Sequence, residues 1–577
     1  MLNLFTHAQK FRLDFLIPFI LSLLVIITRL PFTSKFLYEW DSVNYSLAFE
    51  NYNILQQQPH PPGYLLYVAL GKAVNYIFND PNTSMIFLSV LFSVLSVILV
   101  YFMAKDIFSR KVGIISALLL IFNPFIWFYG EIASIYIFEA FFSILIAYSS
   151  YKLFKGNEKF IYISAFVLGL SGGFRTDMLE FMLPLWIFCI WSARIHYTKI
   201  AKGILTFVVA ISLWLVPAVI LTGSLESYIH ILRCTSEAAS YTSLIFGASI
   251  SQQILNTGVC IIWSLVGLTL IGILITALFL TYHRRNLKSK VLPYLKKPLT
   301  IFFLLWIIPS FLFYLLIYIV KPGYLLTVLP AVMIILSYII IRISSDIHFN
   351  FPKISVKYFL SFILLIYVIS NTVYFVYPYN LHNGQIWETP TNKMETNQKV
   401  WFGIDVGLLY DNAKINANDE NTRLHIKNIL NISNSNPEST VIVIRDITRE
   451  DEGFNWRKAM YYLPGYDVYY LFDHENSGIE GNVSVWHGKD HSYNISKSSV
   501  EDIKLNTSTT NIIWVMSSET SFYQEVKDNM GVSGINLPNG MKLYYSYVGN
   551  QTSDIKISGF VFQRWILILL FIMSTSN

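Results

Sequence analysis

The sequence predicts a polytopic α-helical membrane protein that carries a soluble α/β domain near its C-terminus. Three observations support this fold class. Hydrophobic residues make up 54% of the 577 residues, and the mean hydropathy is +0.49. These residues occur in long runs rather than in alternating patterns. From residue 380 onwards the composition changes, and polar residues surround short runs that are typical of β-strands.

The apolar runs define the predicted transmembrane segments, because a helix needs roughly 17 to 25 apolar residues to cross a bilayer. Runs of that length lie near 14–32, 84–104, 112–129, 135–153, 204–222, 254–281, 300–320, 325–343 and 357–378. Residues 159–192 contain two more, separated by a glycine-rich turn. We therefore expect about eleven or twelve spans. The first is expected to be retained, because no small-residue cleavage site follows it.

Basic residues between the runs predict the orientation of the chain. Lys and Arg cluster in alternate loops, for example at 105–111, 152–159 and 284–297, whereas the other loops contain few of them. By the positive-inside rule, the clustered loops are cytoplasmic. The loop that contains Asp41 and everything after Pro378 are then expected outside the cytoplasm, at a plasma membrane or endoplasmic reticulum.

Charge and cysteine content exclude two classes of protein. The net charge of +6 comes from short clusters between apolar runs and forms no continuous basic stretch. No nucleic-acid partner is therefore expected. Cys189 and Cys260 lie within apolar runs and Cys234 lies on a loop, without CxxC or metal-ligand spacing. A disulfide framework and a zinc site are therefore not expected.

Residues 1–379 form the predicted membrane domain, and residues 380–557 form the predicted soluble domain. The expected strands are Thr440–Ile444, Asp467–Phe472, Asn511–Val515 and Lys542–Tyr545, and the expected helices are Phe454–Tyr461 and 520–529. N-glycosylation sequons at Asn431, Asn482, Asn494, Asn506 and Asn550 agree with an extracytoplasmic location. The short apolar segment 558–577 is expected to be either a last span or an interfacial anchor.

Charged residues at the ends of apolar runs are the first candidates for a functional site, since they are costly to keep near a bilayer. Asp41 lies on a long loop after the first run, and Glu131 lies just before the fourth. Arg175 and Asp177 occupy the glycine-rich turn, and Lys321 precedes the tenth run. All of them are predicted at the same face of the membrane.

These residue types suit a lipid-phosphate substrate. A carboxylate such as Asp41 accepts a proton as general base, with Glu131 positioning it or holding the acceptor. Arg175 and Lys321 neutralise a phosphate, the first through a bidentate fork and the second as a point charge. Structural roles remain open: Asp41 as a helix N-cap, Glu131 as a partner of Arg175, and Lys321 as an interfacial anchor.

Aromatic residues near these charges complete the candidate site. The run from His60 to Tyr64 contains two prolines and a glycine, and Tyr136 follows Glu131 by five residues. Tyr324 follows Lys321 in the same turn. We count His60, Tyr64, Tyr136, Tyr324 and Asp177 with Arg175 and Lys321 as candidate substrate-binding residues. Packing of His60 and an aromatic belt of tyrosines are the open alternatives.

The order of these motifs resembles the GT-C membrane glycosyltransferases, in particular the protein O-mannosyltransferase and aminoarabinose-transferase-like group (glycosyltransferase family 39-like). The resemblance rests on five motifs within residues 10–345. They are Trp40-Asp41, His60-Pro-Pro-Gly-Tyr64, Glu131 with Tyr136, Gly172-Gly-Phe-Arg-Thr-Asp177 and Lys321-Pro-Gly-Tyr-Leu-Leu-Thr-Val-Leu-Pro330.

The resemblance implies that Asp41 is the essential acidic residue of the first outer loop and that Glu131 is the acidic residue of the second. It also implies a sugar donor linked to polyprenyl or dolichyl phosphate and inversion at the anomeric carbon. No Asp-x-Asp motif occurs at either loop, so we predict no dedicated metal site. A single carboxylate pair still suits one divalent cation. Ser42 follows Asp41 where the mannosyltransferases often have Glu, and no sugar-binding domain of their type is evident in 380–557.

The predicted function is transfer of a sugar, for example a hexose such as mannose, from a polyprenyl-phosphate or dolichyl-phosphate donor in the membrane to an extracytoplasmic acceptor. The acceptor is a protein, a glycan or a lipid. Two alternatives remain. An oligosaccharide transferase or polymerase acting on lipid diphosphates needs more phosphate-binding cations than the outer turns contain. A transporter usually places its polar groups near the bilayer midplane, often in repeated halves.

Overall fold

The computed structural model describes residues 2–238, 244–283, 297–318, 321–346, 356–377, 411–445, 454–473, 483–487, 501–518, 520–549 and 554–564. These residues form a helical bundle followed by a soluble α/β domain. The predicted fold class is therefore confirmed. The predicted boundary at 380 lies outside the described residues.

The bundle contains α-helices at the positions of the predicted runs. In chain order they are α1 Leu2–Arg29, α2 Trp40–Glu50, α3 Leu65–Phe78, α4 Pro81–Ile107, α5 Arg110–Ile121, α6 Pro124–Tyr129, α7 Tyr136–Phe154, α8 Phe160–Ser171, α9 Asp177–Ala193, α10 Tyr197–Thr222, α11 Leu225–Ala238, α12 Ile250–His283, α13 Pro298–Leu316, α14 Leu329–Asp346 and α15 Val356–Val376. Helix α3, which is apolar but short, was not among the predicted spans.

One predicted span is divided in two. The run 112–129 forms α5 and α6, which are separated at Phe122 and Asn123. The Asn123 side chain accepts hydrogen bonds from the backbone N–H groups of Phe125 and Ile126, and Pro124 occupies the first position of α6. An Asn cap followed by proline starts a new helix, so the run does not continue as one.

Five described helices are long and apolar enough, by length and composition, to cross a membrane. They lie at Leu13–Phe32, Pro81–Ile107, Tyr136–Phe154, Tyr197–Thr222 and Pro298–Leu316. Shorter apolar helices, among them Phe160–Ser171 and Leu329–Arg342, accompany them. The protein is therefore an integral membrane protein, and the full number of spans and their orientation stay predictions.

The soluble domain contains helices α16 Asn412–Ile432, α17 Trp456–Tyr462 and α18 Ser521–Met530. Its strands are β1 Thr440–Arg445, β2 Asp467–Asp473, β3 Val483–His487, β4 Glu501–Leu505, β5 Asn511–Val515, β6 Ser533–Asn536, β7 Lys542–Tyr547, β8 Ile555–Ile557 and β9 Phe560–Arg564. The larger sheet has the order β3-β2-β1-β5-β7-β6, and the smaller has the order β4-β9-β8. Strand β1 pairs in parallel with β2 and with β5. The predicted strands and helices of this domain are all confirmed.

Strand β1 is buried on both faces, as is usual for a central parallel strand. Ile442 and Ile444 belong to a core that includes residues of α16 and α17. Val441 and Val443 face a second core, which includes residues of α18 and of the smaller sheet. The domain is therefore layered, and the layer of α16 and α17 also contains Trp40 of the membrane domain.

The C-terminal boundary predicted at residue 558 is wrong for the part that the structure describes. Residues Phe560–Arg564 form β9, which pairs in parallel with β4 and antiparallel with β8. Their apolar side chains pack inside the soluble domain, since Phe560 and Phe562 belong to its core. Residues 565–577, and the sequons at Asn482, Asn494 and Asn550, lie outside the described residues.

The soluble domain is hydrogen-bonded to the loop between α1 and α2. The Asp419 carboxylate of α16 accepts hydrogen bonds from the Ser34 hydroxyl at 2.8 Å and from the backbone N–H groups of Lys35 at 2.7 Å and Phe36 at 3.2 Å. Burial raises the pKa of Asp419, although these hydrogen bonds act in the opposite direction. The Tyr462 hydroxyl of α17 accepts a further bond from the Leu37 N–H. The two domains therefore share a polar contact next to the start of α2.

His425 gives the soluble domain a predicted pH dependence. Its ring is 1% exposed, and it stacks on Phe454 at a centroid distance of 4.9 Å. Burial lowers the pKa of His425 to about 4, from 6.5. The unfolded chain therefore binds a proton below pH 6.5 that the folded chain excludes, so stability falls as the pH falls from 6.5 to 4. We expect a loss of roughly 3 kcal/mol in the free energy of unfolding across this interval.

The measurement is the melting temperature of the detergent-solubilised protein at pH 7 and at pH 5. His425→Phe keeps an aromatic ring against Phe454 and removes the titrating group, so its melting temperature is expected to depend less on pH. Equal pH dependence in the wild type and in His425→Phe would contradict this assignment.

Candidate active site

Helix α2 places Asp41 at its N-terminal end. Glu39 is the N-cap residue, and its backbone N–H donates a hydrogen bond of 3.2 Å to the Ser42 hydroxyl. Asp41 is therefore the second residue of the helix, and the alternative that Asp41 itself caps the helix is wrong. The helix dipole favours a carboxylate at this end. Asp41 is held on a rigid element with its side chain 21% exposed.

The loop after α2 returns His60 to Asp41. Asn53 and Gln58 form an isolated antiparallel β-bridge, which brings the two ends of the turn 53–58 together. The Nδ1 atom of His60 lies 3.2 Å from Oδ1 of Asp41, an ion-pair distance. The Nε2 atom lies 3.1 Å from the Tyr64 hydroxyl. His60 thus contacts the predicted base directly, and Tyr64 is connected to it through His60.

Three predicted tyrosines surround the Arg175 guanidinium. Its central carbon lies 5.9 Å from the ring centroid of Tyr64, 5.6 Å from that of Tyr136 and 5.2 Å from that of Tyr324. These are cation–π distances. The charge of Asp41 also acts on all three tyrosines. The tyrosines are therefore close to the buried arginine and within the electrostatic influence of the carboxylate of α2.

Arg175 is fixed by two carboxylates. Its Nε atom lies 3.0 Å from Glu139 of α7, and its Nη2 atom lies 2.5 Å from Asp177 at the start of α9. Each carboxylate has another partner, because the Thr327 hydroxyl donates to Glu139 at 2.8 Å and the Tyr314 hydroxyl donates to Asp177 at 3.0 Å. One cation and two carboxylates give a formal charge of −1. Arg175 is thus already neutralised, which disfavours it as the main phosphate-binding cation.

Lys321 lies beside this cluster, at the N-cap of the 3-10 helix Pro322–Thr327. Its charge acts on Tyr324. The Tyr324 ring stacks on that of Tyr314 at 4.8 Å, with an interplanar angle of 7°. Tyr324 also contacts Tyr136 edge to face at 5.4 Å. The turn that carries Lys321 is thus packed against the aromatic cluster, while Lys321 itself is only partly buried.

Glu131 has a different environment from the one that the sequence suggested. Its side chain is 0% exposed, and the charge that acts on it is that of Arg29 at the end of α1. The alternative that Glu131 pairs with Arg175 as a structural partner is wrong, because Glu139 occupies that position. Glu139 lies eight residues further along the chain, on α7, where its carboxylate meets the turn that carries Arg175.

The backbone around Glu131 nevertheless supports α2. The Ser34 N–H donates to the Glu131 carbonyl at 3.0 Å, and the Ser42 hydroxyl donates to the Ala133 carbonyl at 2.5 Å. Ser42 follows Asp41 directly. The turn from Glu131 to Ala133 therefore holds the helix that carries Asp41, and it does so through carbonyl groups rather than through the Glu131 carboxylate.

Comparison with known proteins supports the fold. Residues 59–220 match the family model described as dolichyl-phosphate-mannose-protein mannosyltransferase. The structure of ArnT from Cupriavidus metallidurans bound to undecaprenyl phosphate aligns with 95% of this chain and 99% of its own, with a TM-score of 0.52 and 9% identity. The chain has the GT-C glycosyltransferase fold. The predicted resemblance is thereby confirmed at the level of the fold.

An oligosaccharyltransferase from Archaeoglobus fulgidus, in complex with zinc and sulfate, aligns with 92% of this chain and 72% of its own, at 14% identity and a TM-score of 0.44. A search of curated proteins found no match to this sequence. The family model includes His60, Tyr64, Glu131, Tyr136 and the Arg175 turn, whereas Asp41 and the Lys321 turn lie outside the matched range.

Three partners in this candidate site were missed from the sequence. Tyr314 lies within an apolar run that contains other aromatic residues, and nothing in that run distinguishes it. Thr327 lies in the motif that begins at Lys321, so its position was a usable signal. Arg29 lies at the end of an apolar run, where an arginine requires a partner, so its position was also a usable signal.

No group of three or more His, Cys, Asp or Glu residues suited to a metal ion occurs within the described ranges. Glu39 and Asp41 both lie at the N-terminal end of α2. The Ser134 hydroxyl donates a hydrogen bond of 3.4 Å to the Glu39 carboxylate. A divalent cation bound by a carboxylate pair stays a prediction.

Proposed function

We propose that this protein transfers a sugar, a hexose such as mannose, from a polyprenyl-phosphate or dolichyl-phosphate donor to a hydroxyl acceptor on the extracytoplasmic side of the membrane. The observation that carries the proposal is the pairing of Asp41 with His60 at the edge of the tyrosine cluster around Arg175. A partly exposed base therefore lies beside aromatic hydroxyl groups and a basic turn, at one end of an apolar helical bundle.

Asp41 acts as the general base in this proposal. It takes the proton from the acceptor hydroxyl as that oxygen attacks the anomeric carbon, and the bond between this carbon and the phosphate oxygen breaks. Attack opposite the leaving phosphate inverts the anomeric configuration. With neutral His60, Nδ1–H faces Asp41 at 3.2 Å and Nε2 accepts from the Tyr64 hydroxyl at 3.1 Å. His60 then fixes the orientation of the carboxylate.

The leaving phosphate needs positive charge and hydrogen-bond donors, because negative charge develops on its oxygens. In the proposal Lys321 supplies the charge, and the hydroxyl groups of Tyr136 and Tyr324 supply donors. Arg175 orients the tyrosine rings while Glu139 and Asp177 hold it in place. This assignment revises the expectation that Arg175 is itself a principal phosphate ligand.

Two comparisons support the choice of a lipid-phosphate donor. The description of the matching family model names dolichyl-phosphate mannose. The aligned ArnT structure is bound to undecaprenyl phosphate. The acceptor is proposed as a protein, a glycan or a lipid, since the geometry favours none of the three. The match to the family model does not itself support Asp41 as base or Lys321 as phosphate ligand, because both residues lie outside the matched range.

The test is sugar transfer by the purified protein in lipid vesicles from labelled polyprenyl-phosphate mannose, with glucose and galactose donors in parallel. Hydroxyl acceptors of the three classes are supplied together. We expect a labelled product of inverted configuration, with competition by unlabelled polyprenyl monophosphate. Stronger competition by a lipid diphosphate would favour the oligosaccharide transferase. Solute flux without transfer from any donor would favour a transporter.

A further inference from the structure

Among the contacts between the soluble domain and residues 34–60, which include Asp41 and His60, three lie in different parts of this segment. The first is the Asp419 contact with residues 34–36 described above. At the second, the ring of Trp40, the residue before Asp41, packs on Trp456 of α17 at a centroid distance of 5.6 Å. At the third, Nη2 of Arg457 donates a hydrogen bond of 2.5 Å to the carbonyl of Gln56.

Arg457 takes part in two of these contacts at once. Its guanidinium carbon lies 4.5 Å from the ring centroid of Trp456 and 5.9 Å from that of Trp40. Arg457 and Trp456 are both 0% exposed. A buried guanidinium requires compensation, which the two indole rings and the Gln56 carbonyl supply in part. The Arg457 side chain thus contacts Trp40 at one end of the segment 40–60 and Gln56 near its other end.

A short hydrogen-bonded turn joins Gln56 to His60. Gln56 ends a short 3-10 helix, Ile54–Gln56, whose N-cap Asn53 exchanges two backbone hydrogen bonds with Gln58, at 2.6 and 2.9 Å. His60 follows Gln58 by two residues. The connection from Arg457 to Asp41 is also short, since Trp40 and Asp41 are adjacent in the first turn of α2. We therefore expect a displacement at Arg457 to change the separation of Asp41 and His60.

We propose that Arg457 is a positioning residue, which sets the separation of Asp41 and His60 by holding Trp40 and Gln56 together. The proposal rests on the proposed function, because it assigns Arg457 a part in sugar transfer. The soluble domain then completes the active site although none of its side chains contacts the reacting atoms. A displacement of about 1 Å in a catalytic group lowers a rate by as much as about a hundredfold.

The positioning role differs measurably from a role in stability alone. If Arg457 only stabilises the domain contact, its loss lowers the amount of folded protein and leaves kcat per folded molecule unchanged. If Arg457 sets the geometry, kcat falls in the folded protein. KM for the lipid donor is then nearly constant, because the Lys321 turn and the tyrosine cluster remain in place. The separate behaviour of kcat and KM therefore distinguishes the two roles.

The experiment compares full-length wild type, Arg457→Met, Arg457→Lys and Arg423→Met, each as folded, detergent-solubilised protein. Arg423→Met is the matched control, because Arg423 lies on α16 with a side chain 52% exposed and pairs with Glu420 at the surface. We expect Arg457→Met to lower kcat about thirtyfold, with KM within about twofold. Arg457→Lys is expected to recover part of kcat because it keeps the cation over the indole rings. Arg423→Met is expected to match the wild type.

Hydrogen exchange provides a readout that does not depend on sugar transfer. Arg457→Met is expected to increase amide exchange in residues 53–58 of the full-length protein, whereas Arg423→Met does not. If Arg457→Met fails to fold, Trp456→Phe replaces it as the milder change at the same contact, with the same direction of effect on both measurements.

The outcomes separate this proposal from the proposed function. A wild type that transfers no sugar refutes the proposed function, and the claim on kcat with it, whereas the exchange result still decides whether Arg457 holds the loop. An active wild type with unchanged kcat in folded Arg457→Met overturns the positioning role. Unchanged exchange at residues 53–58 also overturns it, whatever the activity.

Discussion

Asp41→Asn is expected to lower the rate of sugar transfer by about three orders of magnitude, which is within the range for loss of a general base. The substitution keeps the size of the side chain and its place in the first turn of α2, so the helix is expected to remain. An amide cannot accept the proton of the acceptor hydroxyl, and the contact of 3.2 Å to His60 loses its negative partner. The measurement is the initial rate of transfer from labelled polyprenyl-phosphate mannose.

Asp106→Asn is the matched control for this prediction. Asp106 lies at the end of α4, with a side chain 30% exposed, and pairs with Lys152 at 2.5 Å. It is thus a carboxylate of similar exposure that the proposed site does not include. We expect it to keep the wild-type rate within about a factor of two, since surface ion pairs contribute little. Equal rates in folded Asp41→Asn and in the wild type would remove Asp41 from the chemistry.

The sequence was most informative where the structure is local. Strand β1 combines β-branched residues with burial of Thr440–Ile444, and a run of this kind favours the parallel pairs that the strand forms. The grouping of Asp41, His60, Tyr64 and Tyr136 was also within reach of the sequence, because each belongs to a short motif at the end of an apolar run.

The sequence could not decide which carboxylate meets which cation. Glu131 and Glu139 lie on nearly the same helical face by spacing, so periodicity alone does not separate them. In the structure a turn interrupts the helix before Tyr136, and it places Glu131 near Arg29 and Glu139 against Arg175. The contacts of Arg457 with Trp40 and Gln56 join segments more than 400 residues apart, and no local pattern indicates them.

Arg175→Gln is expected to destabilise the protein by about 3 to 5 kcal/mol, the usual cost of removing one partner from a buried ion pair. Glu139 is 0% exposed, and without Arg175 its carboxylate loses its ion pair and keeps the hydrogen bond from Thr327. Asp177 is affected less, because its side chain is 19% exposed and solvent stabilises its charge. The measurement is thermal denaturation of the detergent-solubilised protein. The matched control is Arg110→Gln. The Arg110 side chain is 31% exposed and pairs with Asp14.

The double substitution Arg175→Gln with Glu139→Gln decides why stability is lost. It removes the buried negative charge together with the cation, so it is expected to denature at a higher temperature than Arg175→Gln alone. Its rate of sugar transfer is expected to be low, like that of Arg175→Gln, because in both variants Tyr64, Tyr136 and Tyr324 have lost the cation that their rings surround. A double variant that is less stable than Arg175→Gln would show that Glu139 needs no cation. A double variant with wild-type activity would show that the arginine supports the fold and not the site.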